Sequence, residues 1–181
     1  MTWKLEDFDG NQDAYDRVAK EYNKKWTAWA VESQADILTD SGNNLLNGTP
    51  AGVKKYVEEV IKADWFVGKF GDGKSLPPID VKTGNGVAGS HRLGIVQDRA
   101  SGKIVEKIHS IILNRQFTKD EATILHEISH YATTISATKS FSGHGIEFAQ
   151  NHFYIVEKAV GAKYASRLKE AYSSKGVKIG N

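Results

Sequence analysis

His126-Glu127-Ile128-Ser129-His130 is the stretch on which the reading of this chain turns. Two imidazoles four residues apart on an α-helix project from one face about one turn apart, close enough to hold a single metal ion. The glutamate after the first histidine is not a ligand in such a site. It stands beside water at the open coordination position and can take its proton. With 6 histidines in 181 residues, composition alone yields such a string roughly one time in a hundred, so the surroundings have to carry the argument. Working outward, Thr118-Lys119-Asp120-Glu121 has the form of a capping box, with Thr118 as N-cap and Glu121 reaching back to it. Leu125, Ile128, Ala132 and Ile135 then recur at three- and four-residue steps as a core-facing stripe. His126 and His130 lie off that stripe, where a pocket can open.

The third ligand decides the kind of site. An extended HExxHxxGxxH pattern needs glycine at 133 and histidine at 136, but the chain has Thr133 and Ser136. A thiolate ligand is excluded because cysteine is absent. His144 and Glu147 remain, both in His144-Gly145-Ile146-Glu147-Phe148, at the entrance to a further helix on which Phe148, His152, Val156 and Ala159 share a face. Zinc accepts nitrogen or carboxylate. His144 is the preferred ligand, because Gly143 and Gly145 let the backbone turn its imidazole toward the first helix. Glu147 fits a first-turn carboxylate that complements the helix dipole. The expected site is one zinc ion on His126, His130 and His144, with Glu127 as general base.

The two histidine motifs, thirteen residues apart, resemble those of the SprT-like zinc metallopeptidases, which pair a HExxH helix with a downstream HGxxF. Upstream, Arg92-Leu93-Gly94 and Ile111-Ile112-Leu113-Asn114 stand where that family has strands, so the likeness spans roughly residues 88–160. The chain is also similar in length and motif to small, uncharacterised metallohydrolases of actinobacteria and their phages. The resemblance implies a zincin-like α+β metalloprotease domain, with a small, mostly antiparallel sheet against the HExxH helix and helices at both ends. It implies His126, His130 and His144 as ligands and Glu127 as the catalytic base. The chain departs from SprT-type members in having no cysteine-rich zinc ribbon for DNA.

A chain of 181 residues with 40% hydrophobic content is expected to be a single domain. Its parts would be a helical portion over 1–70, a sheet and metal-site core over 78–160, and a terminal helix and tail over 161–181. The net charge of +2 argues for no global nucleic-acid field. Residues 1–50 carry nine acids against five bases, whereas residues 151–181 carry six bases (Lys158, Lys163, Arg167, Lys169, Lys175 and Lys178) against two acids. Such a basic helix can track phosphates, and more often it is a solvated face. The opening Met1-Thr2-Trp3-Lys4-Leu5 lacks an apolar signal region and no segment has the length of a membrane span, so a cytoplasmic protein is expected, in the host cytoplasm if phage-encoded. The sequence assigns no oligomeric state.

Along the chain, Tyr15, Val18, Tyr22, Trp26 and Trp29 recur at helical intervals within a helix over about 11–33. Residues 40–48 are loop-like, and Thr49-Pro50 reads as an N-cap followed by proline at the first helical position of a helix running to about Trp65. Residues 68–78 form a glycine- and proline-bearing connection. Strands follow over 79–83, 87–97 and 103–114, with a turn at Gly84-Asn85-Gly86 and a hairpin loop over 98–102. On the last strand His109, Ile111 and Leu113 share one face, and Ser110, Ile112 and Asn114 the other. A terminal helix is expected from Ala162 to about Ser174, packing through Tyr164, Leu168, Ala171 and Tyr172.

The implied chemistry is hydrolysis of a peptide bond, with protein or peptide as substrate and an exposed edge strand to pair with it. Candidate oxyanion donors are Tyr131, Tyr154, His91, His109, His152 and Arg92; spacing selects none of them, and each also fits a structural role. Two rival classes are a non-catalytic zinc-binding regulatory protein and a hydrolase of a small amide or ester. A purely structural zinc has no use for the carboxylate of Glu127 or for an open position.

Overall fold

A computed structural model describes residues 49–71, 75–84, 89–114, 121–136, 144–177 and 179. The aromatic row of 11–33, the loop of 40–48, the Gly84-Asn85-Gly86 turn beyond Gly84, and the Thr118 cap lie outside the described residues. The chain divides into two compact units, Asn43–Ser136, and Met1–Gly42 together with Ala137–Asn181. The described residues form an α+β structure of five helices and a three-stranded sheet.

In the first unit, helix α1 (Pro50–Lys62) begins as the sequence predicts. The Thr49 side chain accepts a hydrogen bond from the Gly52 amide at 3.2 Å, and proline occupies the first turn. The helix buries Val53, Val57, Val60 and Ile61. It stops at Lys62 rather than near Trp65, because Ala63 turns extended at ψ 139°. A continued helix would bring Asp64 and Gly68 onto the buried face. The break resets the phase, so that α2 (Asp64–Phe70) buries Phe66 and Phe70 instead.

Strands β1 (Ile79–Gly84), β2 (Ser90–Gln97) and β3 (Ile104–Asn114) lie in the order β1-β3-β2. The sheet is mixed, which corrects the expectation of a mostly antiparallel one: β2 pairs antiparallel with β3, but β1 pairs parallel with it, Ile79 beside His109 and Thr83 beside Leu113. A parallel neighbour cannot be joined by a tight hairpin, and here β2 intervenes in sequence while lying on β3's other side. Alternation along β3 is as expected, with His109, Ile111 and Leu113 buried and Ser110 and Ile112 half-buried. At the hairpin tip the Asp98 carboxylate accepts from the Ala100 and Ser101 amides and the Ser101 hydroxyl. Gly102 takes φ +66° there, a left-handed conformation that favours glycine.

Helix α3 (Glu121–Ser136) buries Ile124, Leu125, Ile128, Tyr131 and Ala132. The Tyr131 hydroxyl donates to the Pro77 carbonyl at 2.6 Å, and its ring stands edge-on to His109 with centroids 5.0 Å apart. Tyr131 thereby ties the helix both to the segment entering β1 and to the centre of the sheet. The Glu121 carboxylate, at the first turn, accepts from the Tyr56 hydroxyl of α1 at 2.5 Å.

In the second unit, α4 (Ile146–Ala159) and α5 (Ala162–Ser174) pack together. Phe148, His152 and Val156 are buried on the predicted face of α4. On α5 Leu168 and Tyr172 of the expected stripe are buried together with Ala165, while Tyr164 and Ala171 are half-buried. Lys158, Lys163, Lys169 and Lys175 are exposed, as a solvated basic face requires. No helix among the described residues is long and apolar enough to cross a membrane.

Candidate metal centre

Helical geometry sorts the residues of α3 by direction. Glu127 and Tyr131, four residues apart, point toward the sheet, whereas His126 and His130 lie about 100° around the axis and are half-buried. The two Nε2 atoms stand 3.2 Å apart, with the rings nearly perpendicular at 79°. Two nitrogens bound to one tetrahedral zinc at ~2.05 Å would be separated by about 3.3 Å, so this pair is spaced as ligands of one ion. His144, just ahead of α4, stacks edge-on against Phe148 with centroids 4.9 Å apart. One ligand atom from each of His126, His130 and His144 lies within 4.8 Å of the others, close enough to bind a metal ion. Glu147 is exposed in the first turn of α4 and stands outside this group.

The electrostatics suit a cation. Burial lowers the His144 imidazole to about 4, so it is neutral at pH 7 with a lone pair to give. Glu127 is only 4% exposed. Burial pushes its carboxyl up to about 8, against the opposing pull of the His91 backbone N–H, which donates to it. Its Oε2 is buried with no hydrogen-bond partner among the described residues, which leaves Oε1 as the acceptor for that amide. A divalent cation nearby would draw the pKa back down, and water beside it would supply the hydrogen bond that Oε2 lacks. The donor set and the orphaned oxygen therefore both fit a bound ion.

Most of the proposed oxyanion donors are engaged elsewhere. His91 Nε2 and His109 Nδ1 share a hydrogen bond at 3.1 Å, one ring donating and the other accepting. Burial, and then the charge of its partner His109, brings His91 down to about 4, while His109 is lowered by burial and by Lys107. Tyr131 is held by Pro77. His152 is fully buried, with Nδ1 and the Tyr172 hydroxyl 2.7 Å apart. Arg92 is exposed, and Tyr154, half-buried, lies under the Lys158 ammonium at 5.8 Å.

Sequence reasoning missed the surroundings of Glu127. Gly89, just before β2, lies so close that a Cβ there would stand 2.8 Å from Glu127 Oε1. The available signal was a glycine inside the strand expected over 87–97, which can mark close approach of another group. Compared with protein-family models, curated proteins and solved structures, the chain finds no match.

Proposed function

We propose that this protein is a zinc-dependent metallohydrolase, and specifically a metallopeptidase, with His126, His130 and His144 as ligands and Glu127 as general base. The observation that carries the reading is a buried carboxylate, one oxygen of which has no partner among the described residues, on the helix whose two histidines converge with a third. A structural site needs no such carboxylate. The resemblance of the two histidine motifs to SprT-like metallopeptidases points the same way.

Zinc, when bound, supplies Lewis acidity, which acidifies water and polarises the carbonyl to be attacked. The rest falls to the chain. Three imidazoles would provide the ligand nitrogens, each binding metal in its deprotonated, uncharged form. Glu127 accepts the proton of the attacking water at Oε2 and later returns it to the leaving amine. The His91 amide holds Oε1, so the carboxylate stays in one orientation through both transfers. Strand β2 is an outer strand of the sheet, and an extended peptide laid along it would bring its carbonyl toward Glu127. An outer strand able to pair with an extended chain is the ground for choosing a peptide over a small amide or ester.

The test uses zinc-loaded protein and an unstructured protein substrate. Glu127→Gln should keep about one zinc per chain and lose roughly 10²–10⁴-fold in hydrolysis, the range of a general base. His144→Ala should lose the metal by elemental analysis, and Glu147→Ala should retain it. An active Glu127→Gln enzyme would overturn the assigned base.

A further inference from the structure

We propose that Gly89 is a positioning residue for Glu127: the bare Cα beside the start of β2 makes the space in which the carboxylate lies, so that with the His91 amide it has one orientation. The inference rests on the reading of Glu127 as the base for its functional half, whereas the steric half stands without it.

An added Cβ at Gly89 would meet Glu127 Oε1 at 2.8 Å, Thr123 Cγ2 at 3.0 Å and Glu127 Cγ at 3.1 Å. Distances under 3.0 Å are not sustained, so one of three groups must give. The strand is held by its ladder, with Ser90 paired to Ile112 and His91 to Ile111 of the buried part of β3. The Thr123 methyl belongs to a β-branched residue in a helix, whose χ1 is restricted. Glu127 is the flexible member and it yields. Its Oε1 then leaves the His91 amide that orients it, and Oε2 has no hydrogen-bond partner among the described residues to take over. Gly89 and the His91 amide thus act from two sides of the same oxygen, one by leaving room and the other by attraction. The neighbouring His91–His109 hydrogen bond pins the side chain of the residue that supplies the amide, which keeps the strand from drifting.

The experiment compares the wild type, Gly89→Ala, Glu127→Ala and the double variant, all zinc-loaded. Thermal unfolding should show a penalty for Gly89→Ala that largely disappears in the Glu127→Ala background, where Cγ and the carboxylate are gone. Exchange of the His91 amide should quicken roughly tenfold or more in both single variants, as expected on losing a charge-assisted hydrogen bond. With a pool of fluorogenic peptides, Gly89→Ala should lower kcat roughly a hundredfold, as a misplacement of about 1 Å does, while KM and zinc content hold. A merely structural glycine would move stability equally in both backgrounds and leave His91 exchange unchanged, and that result overturns the proposal. If Gly89→Ala alone does not fold, recovery in the double variant supports it and failure to recover overturns it. A wild type that turns over no peptide defeats the hydrolase reading, and the unfolding and exchange comparisons still decide the steric one.

Discussion

One strand of this protein has two very different halves. From His109 to Leu113, β3 lies between β1, β2 and α3, with Ser110 and Ile112 half-buried and Ile111 and Leu113 wholly inaccessible. From Ile104 to Ile108 the same strand is exposed, although it carries as many aliphatic residues (Ile104, Val105 and Ile108): Ile104 is 51% and Val105 63% exposed. Strand β2 divides in the same way, with His91 half-buried and Arg92 through Gln97 exposed. The covered half meets the candidate site through the His91 amide, the His91–His109 hydrogen bond and the Tyr131 ring. Apolar composition therefore does not make a core. Coverage by a third strand and a helix does, and it is coverage that leaves Glu127 dry.

The contrast predicts effects that differ along one strand. Ile111→Ala should cost about 2–5 kcal/mol in denaturant unfolding, the range for truncating a buried isoleucine. A cost below that of an exposed site would show that the covered half is not the core.

Acid should act on the same half with a smaller effect. The folded state holds His91 near 4, against an ordinary value of about 6.5. Between those pH values the unfolded chain takes up a proton that the folded site refuses. Stability is thus fully present above about 6.5 and is lost as the pH falls toward 4. Glu127 works in the opposite sense in the metal-free protein. Its carboxyl is raised to about 8 when folded, so its contribution falls as pH rises from its ordinary range toward 8. Metal-free Glu127→Gln removes that opposing slope. In it, amide protection over 109–113 should fall with acid more steeply than over 104–107, and a uniform response along β3 would contradict the assignment.

The smallest effect belongs to the arm. Ile104→Ser should shift stability by no more than about 0.5 kcal/mol, as surface changes do. A large loss there would mean that the arm is packed in solution, and the contrast between the halves would fail.

These halves also mark what could be read from the sequence. The Thr49-Pro50 cap, the Asp98–Gly102 turn and the alternation of β3 were legible, because each depends on neighbours a few residues apart. The apolar residues of 92–108 read as equally fit for a core, since periodicity records which side a residue faces and not whether anything covers it. The break at Ala63 carried no glycine or proline to announce it. Its cause is the phase of Phe66 and Phe70 against a distant core. The parallel pairing of β1 with β3 was likewise hidden, because a sequence pattern does not name a strand's neighbour.

By itself, the sequence determined the donor types and their local spacing. Cysteine is absent, and a helical period of 3.6 places His126 and His130 on one face whatever else the chain does. Tertiary structure alone decided that Glu127 is buried with one oxygen on the His91 amide and the other without a partner among the described residues, and that Gly89 lies beside it. The reason is one of range. Backbone dihedrals set geometry within a turn, while desolvation and close approach are set by groups such as Tyr131 and Pro77 that meet across 54 residues of chain.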